Sequence, residues 1–245
     1  MIYKELPADW QDLQQKVADI FSDSGYSDVE VEKKLMGVRG HAEIDVYAKN
    51  NKDIYLCECK NWNSAVPQSV VQTFRTIVQD IGANKGFIVS KKGFQSGART
   101  AAENTNISLM DWYEFQSEME DVWIENVGKY LYKYVSPIFR FTDTLVPKSL
   151  TEHLDEDGEK YFWELYNNYS HLWSMSDTFL SPMFDLSNQK ERADECRKNF
   201  TLPMEIGIPM IGKKMTIDDY DSLRNYIIKY TDEGVSEFKK LTGKV

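Results

Sequence analysis

Apolar residues recur at helical spacing from Trp10 to Asp23, through Leu13, Val17, Ile20 and Phe21, and Ser24-Gly25 stops that helix. Val29 to Glu32 then alternates as a strand, and Met36 to Gly40 is a glycine-bounded turn. From His41 to Ala48 the alternation is clean: Ala42, Ile44, Val46 and Ala48 point one way, and His41, Glu43, Asp45 and Tyr47 the other. The polar turn at Asn50 to Asp53 leads to a second strand, Ile54 to Lys60, so the two strands read as a hairpin.

Gln68 to Ile81 repeats the helical pattern, with Val71, Phe74, Ile77, Val78 and Ile81 inward. A short apolar strand (Lys85 to Ser90), an alanine-rich helix (Gln95 to Asn104), a strand (Ile107 to Asp111) and a helix from Tyr113 to about Glu120 follow. This α-β-β-β-α-β-α-β order predicts an α/β domain, a mixed sheet covered by helices, over residues 1–120. Residues 121–245 carry few alternating runs and many aromatics, among them Tyr130, Phe139, Trp163 and Trp173. They predict a mostly helical second domain. A helix is expected to follow Asp155-Glu156-Asp157-Gly158 and end near Ser174. Another, Tyr220 to Tyr230, follows a capping box at Thr216 and Asp219, and Pro203 to Pro209 reads as irregular.

Charge narrows the function classes. The net charge of −10 argues against a broad basic nucleic-acid-binding surface. Thirteen basic and 18 acidic residues precede residue 121, and 16 and 21 follow, so neither half is a basic arm. A metal site built from carboxylates is itself acidic, so a metal-dependent nuclease stays open. Three cysteines make no disulfide framework, Met1 to Pro7 lacks the features of a secretory signal, and no run is apolar enough to span a membrane. A reduced, cytoplasmic protein is expected.

The chemistry concentrates on Asp45 and Glu58-Cys59-Lys60. Period two puts Glu58 and Lys60 on one face of their strand and Cys57 and Cys59 on the other. If the hairpin joins the polar faces, two carboxylates and one ammonium converge. Such a set suits phosphodiester hydrolysis. Hard oxygen ligands hold Mg²⁺, which polarises the phosphoryl oxygen and acidifies a bound water, while a lysine orients or deprotonates that water or stabilises developing charge. The backbone carbonyl of Cys59 is a further candidate ligand. No phosphate-loop, nucleophile-elbow or paired-histidine pattern competes, and two inward cysteines on a strand read as small core residues.

The stretches RGHAEIDVYAKNNKDIYLCECKNW and VVQTFRTIVQDIGANKGFIVSKKGFQSGARTAAENTNISLMD resemble the Mrr-type branch of the PD-(D/E)xK nucleases. The strand Gly86 to Ser90 and the run Gly93 to Ala98 add to the catalytic triplet. The resemblance covers roughly residues 10–115. It implies a restriction-endonuclease-like core and Mg²⁺-dependent cleavage of DNA, with Mn²⁺ as a substitute. By position, Asp45 and Glu58 would hold metal and Lys60 would be the catalytic lysine. Related enzymes often carry a glutamate on the first helix, where this chain has Gln14 and Gln15.

Glu43 and His41, on the face of Asp45, and Asn61 and Gln72 are accessory candidates beside Gln14. Lys33, Lys34, Arg39, Arg75, Lys91 and Lys92 flank the expected site as candidate phosphate contacts. The favoured reading is a DNA endonuclease in restriction or anti-phage defence. Cutting both strands of a duplex calls for a dimer or larger assembly. Two other readings stand beside it: a non-catalytic or partner-activated subunit docking on a protein such as an ATPase, and a triggered effector that also cuts RNA.

Overall fold

The computed structural model describes residues 1–143, 145–146, 148–185 and 188–243. The chain divides into two compact units, one of Met1 and residues 5–123, the other of residues 2–4 and 124–245.

In the first unit, helix α1 (Trp10–Asp23) starts where the Asp9 side chain accepts the Asp12 N–H. Strands β1 (Ser27–Gly37), β2 (Gly40–Asn50) and β3 (Asp53–Lys60) follow, then α2 (Gln68–Ile81), β4 (Lys85–Ser90), α3 (Ser96–Ala102) and β5 (Ile107–Asp111). Helix α4 (Trp112–Thr142) begins in this unit and runs on well past Glu120, where the aromatic pattern gave no stop.

The sheet order is β1-β2-β3-β4-β5, antiparallel through β3 and parallel from β3 to β5. This is the expected mixed α/β sheet, and its parallel part is buried on both faces. On one face Phe21 of α1 and Phe115 of α4 pack edge to face around Phe87 of β4. On the other, Val71, Phe74 and Val78 of α2 and Ala98 and Ala101 of α3 cover Leu56, Ile88 and Ile107. Glu58 and Lys60 continue the Leu56 side of β3, which aims them toward α2.

The β1–β2 ladder departs from simple alternation at two steps, a register shift between Ser27 and Glu30 with Asp28 at φ 47° and a second at Glu32. Val31 pairs with Val46 and Lys33 with Ile44, while Glu32 between them sits at φ 54°, opposite Asp45. Ile44 and Tyr47 are three residues apart, which on a regular strand sends them to opposite faces. Both are nevertheless buried in the α2 cluster, joined by Leu35 and Ala42. The hairpin bends there, at the left-handed Glu32, and its far end lies on α2. The tip is fixed by the Val38 N–H to the Asp80 carbonyl and by Arg39, which grips both Asp80 carboxylate oxygens at 2.6–2.9 Å. The polar face expected of Tyr47 is thereby corrected, since its ring is needed as cover for α2.

The second unit takes in the rest of α4, α5 (Glu156–Asp185), α6 (Gln189–Asn199), the hairpin β6 (Met204–Ile208) and β7 (Lys213–Ile217), and α7 (Tyr220–Thr242). Mostly helical, as expected, it differs from the sequence reading in three places. The stretch after Pro203 is strand β6, paired antiparallel with β7. Helix α5 runs past Ser174 to Asp185, and α7 past Tyr230 to Thr242. Thr216 lies inside β7, so Asp219 alone caps α7: one carboxylate oxygen accepts the Ser222 N–H and the other the Lys4 N–H, both at 2.8 Å. Gly234 lets α7 pack closely, because a Cβ there would stand 2.4 Å from Ile138 Cδ1 and 2.8 Å from the Tyr169 ring. Among the described residues no helix is long and apolar enough to cross a membrane.

Candidate active site

The regular β2–β3 ladder begins at the Val46–Cys57 pair, one residue from Asp45. Beyond that pair Asp45 turns its carboxylate across the gap, and its Oδ2 accepts the Cys59 backbone N–H at 2.7 Å. The same oxygen lies 3.7 Å from Lys60 Nζ, and Lys60 also forms a close ion pair with Glu58 Oε1. The three side chains are mostly buried, Lys60 the most deeply at 15% exposure.

Burial and the nearby Asp45 carboxylate push the Glu58 carboxyl up, only partly countered by Lys60. Burial alone would pull the Lys60 ammonium down, but Glu58 and Asp45 together hold it above its ordinary value. Burial thus raises Glu58 and opposes the shift of Lys60, while the neighbouring charges act on both. The site holds one negative charge more than it neutralises, in a place poor in water.

Lys60 and Glu58 form one wall of a cleft of about 200 Å³. Its other wall is α2, with the hydroxyl-bearing Ser69 and Thr73 above Phe74 and Ile77. Pattern reading passed over Ser69 and Thr73, and the signal available was their i, i+4 spacing on the first turns of the helix that follows Glu58-Cys59-Lys60.

The other candidates are placed as follows. Gln14 is buried on the inner side of α1. Asn61, directly after β3, lines a small crevice with Ser90, Lys91 and Trp112. Gln72 is exposed on α2 and is not among the residues lining the cleft. Glu43 and His41 lie beyond the bend at Asp45, both exposed, with Glu43 paired to Lys34 at 3.5 Å, so the expected shared face with Asp45 does not extend to them. Cys57 and Cys59 are buried, and burial holds the Cys59 thiol well up, as suits core residues rather than thiolate ligands.

Of the six basic candidates, Lys33, Lys34, Arg39 and Arg75 are engaged with Glu30, Glu43, Asp80 and the Ala101 carbonyl. Lys91 and Lys92 are exposed at the end of β4, where the Lys91 N–H bonds the Lys60 carbonyl.

Among the described residues no group of three or more histidine, cysteine, aspartate or glutamate side chains assembles. Two carboxylates with an unneutralised charge still fit a magnesium ion, which typically takes one or two protein carboxylates and fills its remaining positions with water and substrate phosphate.

No curated protein matches this chain. The chain is similar to one solved crystal structure, that of a protein of unknown function, AF1548, at 16% identity and a TM-score of 0.41, over 97% of this chain and 100% of the other. Residues 6–119 match the family model for the Mrr_cat restriction endonuclease. This span contains all five strands of the mixed sheet and Asp45, Glu58 and Lys60. Residues 6–119, a little under half of the chain, are thus similar to the Mrr_cat restriction endonuclease family, and the first unit has the mixed sheet expected of that fold.

Proposed function

We propose that the protein is a metal-dependent endonuclease that hydrolyses DNA phosphodiesters at Asp45, Glu58 and Lys60. The observation that carries this reading is the meeting of the Asp45 and Glu58 carboxylates at Lys60 Nζ, two carboxylates to one ammonium. Asp45 and Glu58 are the residues to hold Mg²⁺, or Mn²⁺ in its place, and such an ion supplies Lewis acidity to the phosphodiester.

The Cys59 N–H fixes the Asp45 carboxylate, so its geometry is set before substrate arrives. Lys60 stands between its two carboxylate neighbours, where its ammonium can orient the attacking water or stabilise developing charge. On this reading it donates to a non-bridging phosphate oxygen as negative charge builds there. Lys91 and Lys92 lie close enough along the chain to grip the neighbouring phosphates.

In this reading the second unit supplies target recognition, self-association or a docking surface for a partner such as an ATPase, and the protein works in the cytoplasm in restriction or anti-phage defence. Two copies would present the two sites that a double-strand break requires. Supercoiled plasmid incubated with the full chain and Mg²⁺, Mn²⁺ or EDTA tests the activity. Cleavage that needs metal and disappears in both Asp45→Ala and Lys60→Ala supports it, and equal cleavage by the variants rejects it. A parallel RNA substrate separates a DNA enzyme from a general effector.

A further inference from the structure

Trp62 follows strand β3 by two residues and is 43% exposed. Lys60 Nζ stands 5.5 Å from its ring centroid. No other aromatic ring and no hydrogen bond engages the indole among the described residues. The contrast with Trp163 is informative: that residue is equally exposed, at 42%, yet packs against Phe162 and Tyr166. What sets Trp62 apart is its place: its open ring face lies beside Lys60 at the mouth of the candidate site. The group that arrives beside Lys60 during hydrolysis is a nucleotide.

We infer that Trp62 stacks on a base unpaired next to the scissile phosphate, so that the site binds single-stranded or splayed DNA more tightly than intact duplex and cuts duplex where the strands open locally. This rests on the reading of Asp45, Glu58 and Lys60 as the nuclease centre. An indole face can stack only on a base whose own face is free, and bases inside a duplex cover one another. With Lys60 against the ring, a phosphate held by the ammonium places its neighbouring base within reach of the indole. The hydroxyls of Ser69 and Thr73, in the cleft that Lys60 also lines, are donors for the strand's phosphates.

The test is the affinity of the full chain for labelled single-stranded, duplex and splayed-end oligodeoxynucleotides in EDTA, using Trp62→Ala and Trp62→Phe. Stacking on one base corresponds to roughly a 5- to 150-fold change in affinity. Trp62→Ala is expected to lose this much on unpaired strands and less than about twofold on duplex, with Trp62→Phe retaining most of the binding. Equal losses on all three DNAs, no loss at all, or no binding of unpaired strands by the unaltered protein would overturn the inference. Binding is read without metal, so these outcomes stand apart from the Asp45→Ala cleavage test, which decides the nuclease reading itself.

Discussion

Asp45 Oδ2 and the Cys59 N–H meet at 2.7 Å one residue beyond the last regular β2–β3 pair. A ladder position that backbone would normally fill is filled by a carboxylate, and the strand ends come to rest around it. The bond ties the site to the sheet, and the sheet in turn holds Glu58 and Lys60 at fixed neighbouring positions on β3.

The surplus negative charge makes a metal effect on stability the first expectation. Magnesium at about a hundred times its dissociation constant would stabilise the folded chain by about 2.7 kcal/mol. For a chain of this size that corresponds to an unfolding midpoint higher by roughly 5–10 °C. Thermal melts with and without Mg²⁺ check it, and an equal rise in Asp45→Asn would remove the ion from this site.

Neutralising Glu58 has a second consequence. Glu58→Gln removes the repulsion with Asp45 while keeping the size of a mostly buried side chain. Without metal, the variant is expected to be more stable by about 1 kcal/mol, within the usual gain from relieving an active site, and cleavage should fall at least about 100-fold. Denaturant midpoints paired with cleavage rates give both readouts, and a variant that is less stable yet active would contradict the charge reading.

The bend at Glu32 can be probed on its own. A residue at φ 54° tolerates glycine, whereas a β-branched side chain meets the backbone there. Glu32→Val should cost about 1–2 kcal/mol and Glu32→Gly at most a few tenths. If valine unfolds no more easily than glycine in urea, the hairpin does not depend on that conformation.

In the second unit the close approach at Gly234 predicts its own sensitivity. Gly234→Ala would force a methyl against Ile138 and Tyr169 and should lower stability by about 1–3 kcal/mol, although alanine is the better helix former. Urea unfolding followed by far-UV circular dichroism measures it, and a gain in stability would mean that the helices separate at little cost.

Acid should weaken the second unit through His171. Burial pulls its pKa below the ordinary 6.5, offset in part by the Asn168 backbone, and its Nε2 lies 2.8 Å from the Tyr226 hydroxyl. The folded state therefore resists a proton that the unfolded chain accepts. Stability from this group is full above pH 6.5 and is lost as pH falls below it toward the lower folded value. The midpoint of the unaltered protein should drop more between pH 7.5 and 5.5 than that of His171→Gln. Parallel curves would exclude the histidine as the cause.

The first domain was legible because its elements carry strong periods. The inner faces of α1 and α2, the apolar run of β4 and the alternation in β3 all survive into the structure. Strict alternation misled for β2, because the left-handed Glu32 on β1, with nothing unusual in its side chain, marks a bend that brings Ile44 and Ala42 to the α2 side beside Tyr47 and takes Glu43 and His41 away from Asp45. The convergence of Asp45, Glu58 and Lys60 was expected on the condition that the hairpin joins its polar faces, and the turn of the Asp45 carboxylate past the last ladder pair is what brings it to Lys60. Ser69 and Thr73 were not legible, since their significance depends on how α2 folds back over β3. In the second half, the pairing of β6 with β7 was hidden by the short strands and the flanking prolines at 203 and 209.

The central claim is most directly tested by the initial rate of plasmid cleavage by Asp45→Asn beside the unaltered protein in Mg²⁺. Asparagine retains an oxygen for the Cys59 N–H and the shape of the side chain but lacks the charge. The account predicts a correctly folded variant whose rate is lower by at least about 100-fold. A rate within about twofold of the unaltered protein would place the chemistry somewhere other than Asp45, Glu58 and Lys60.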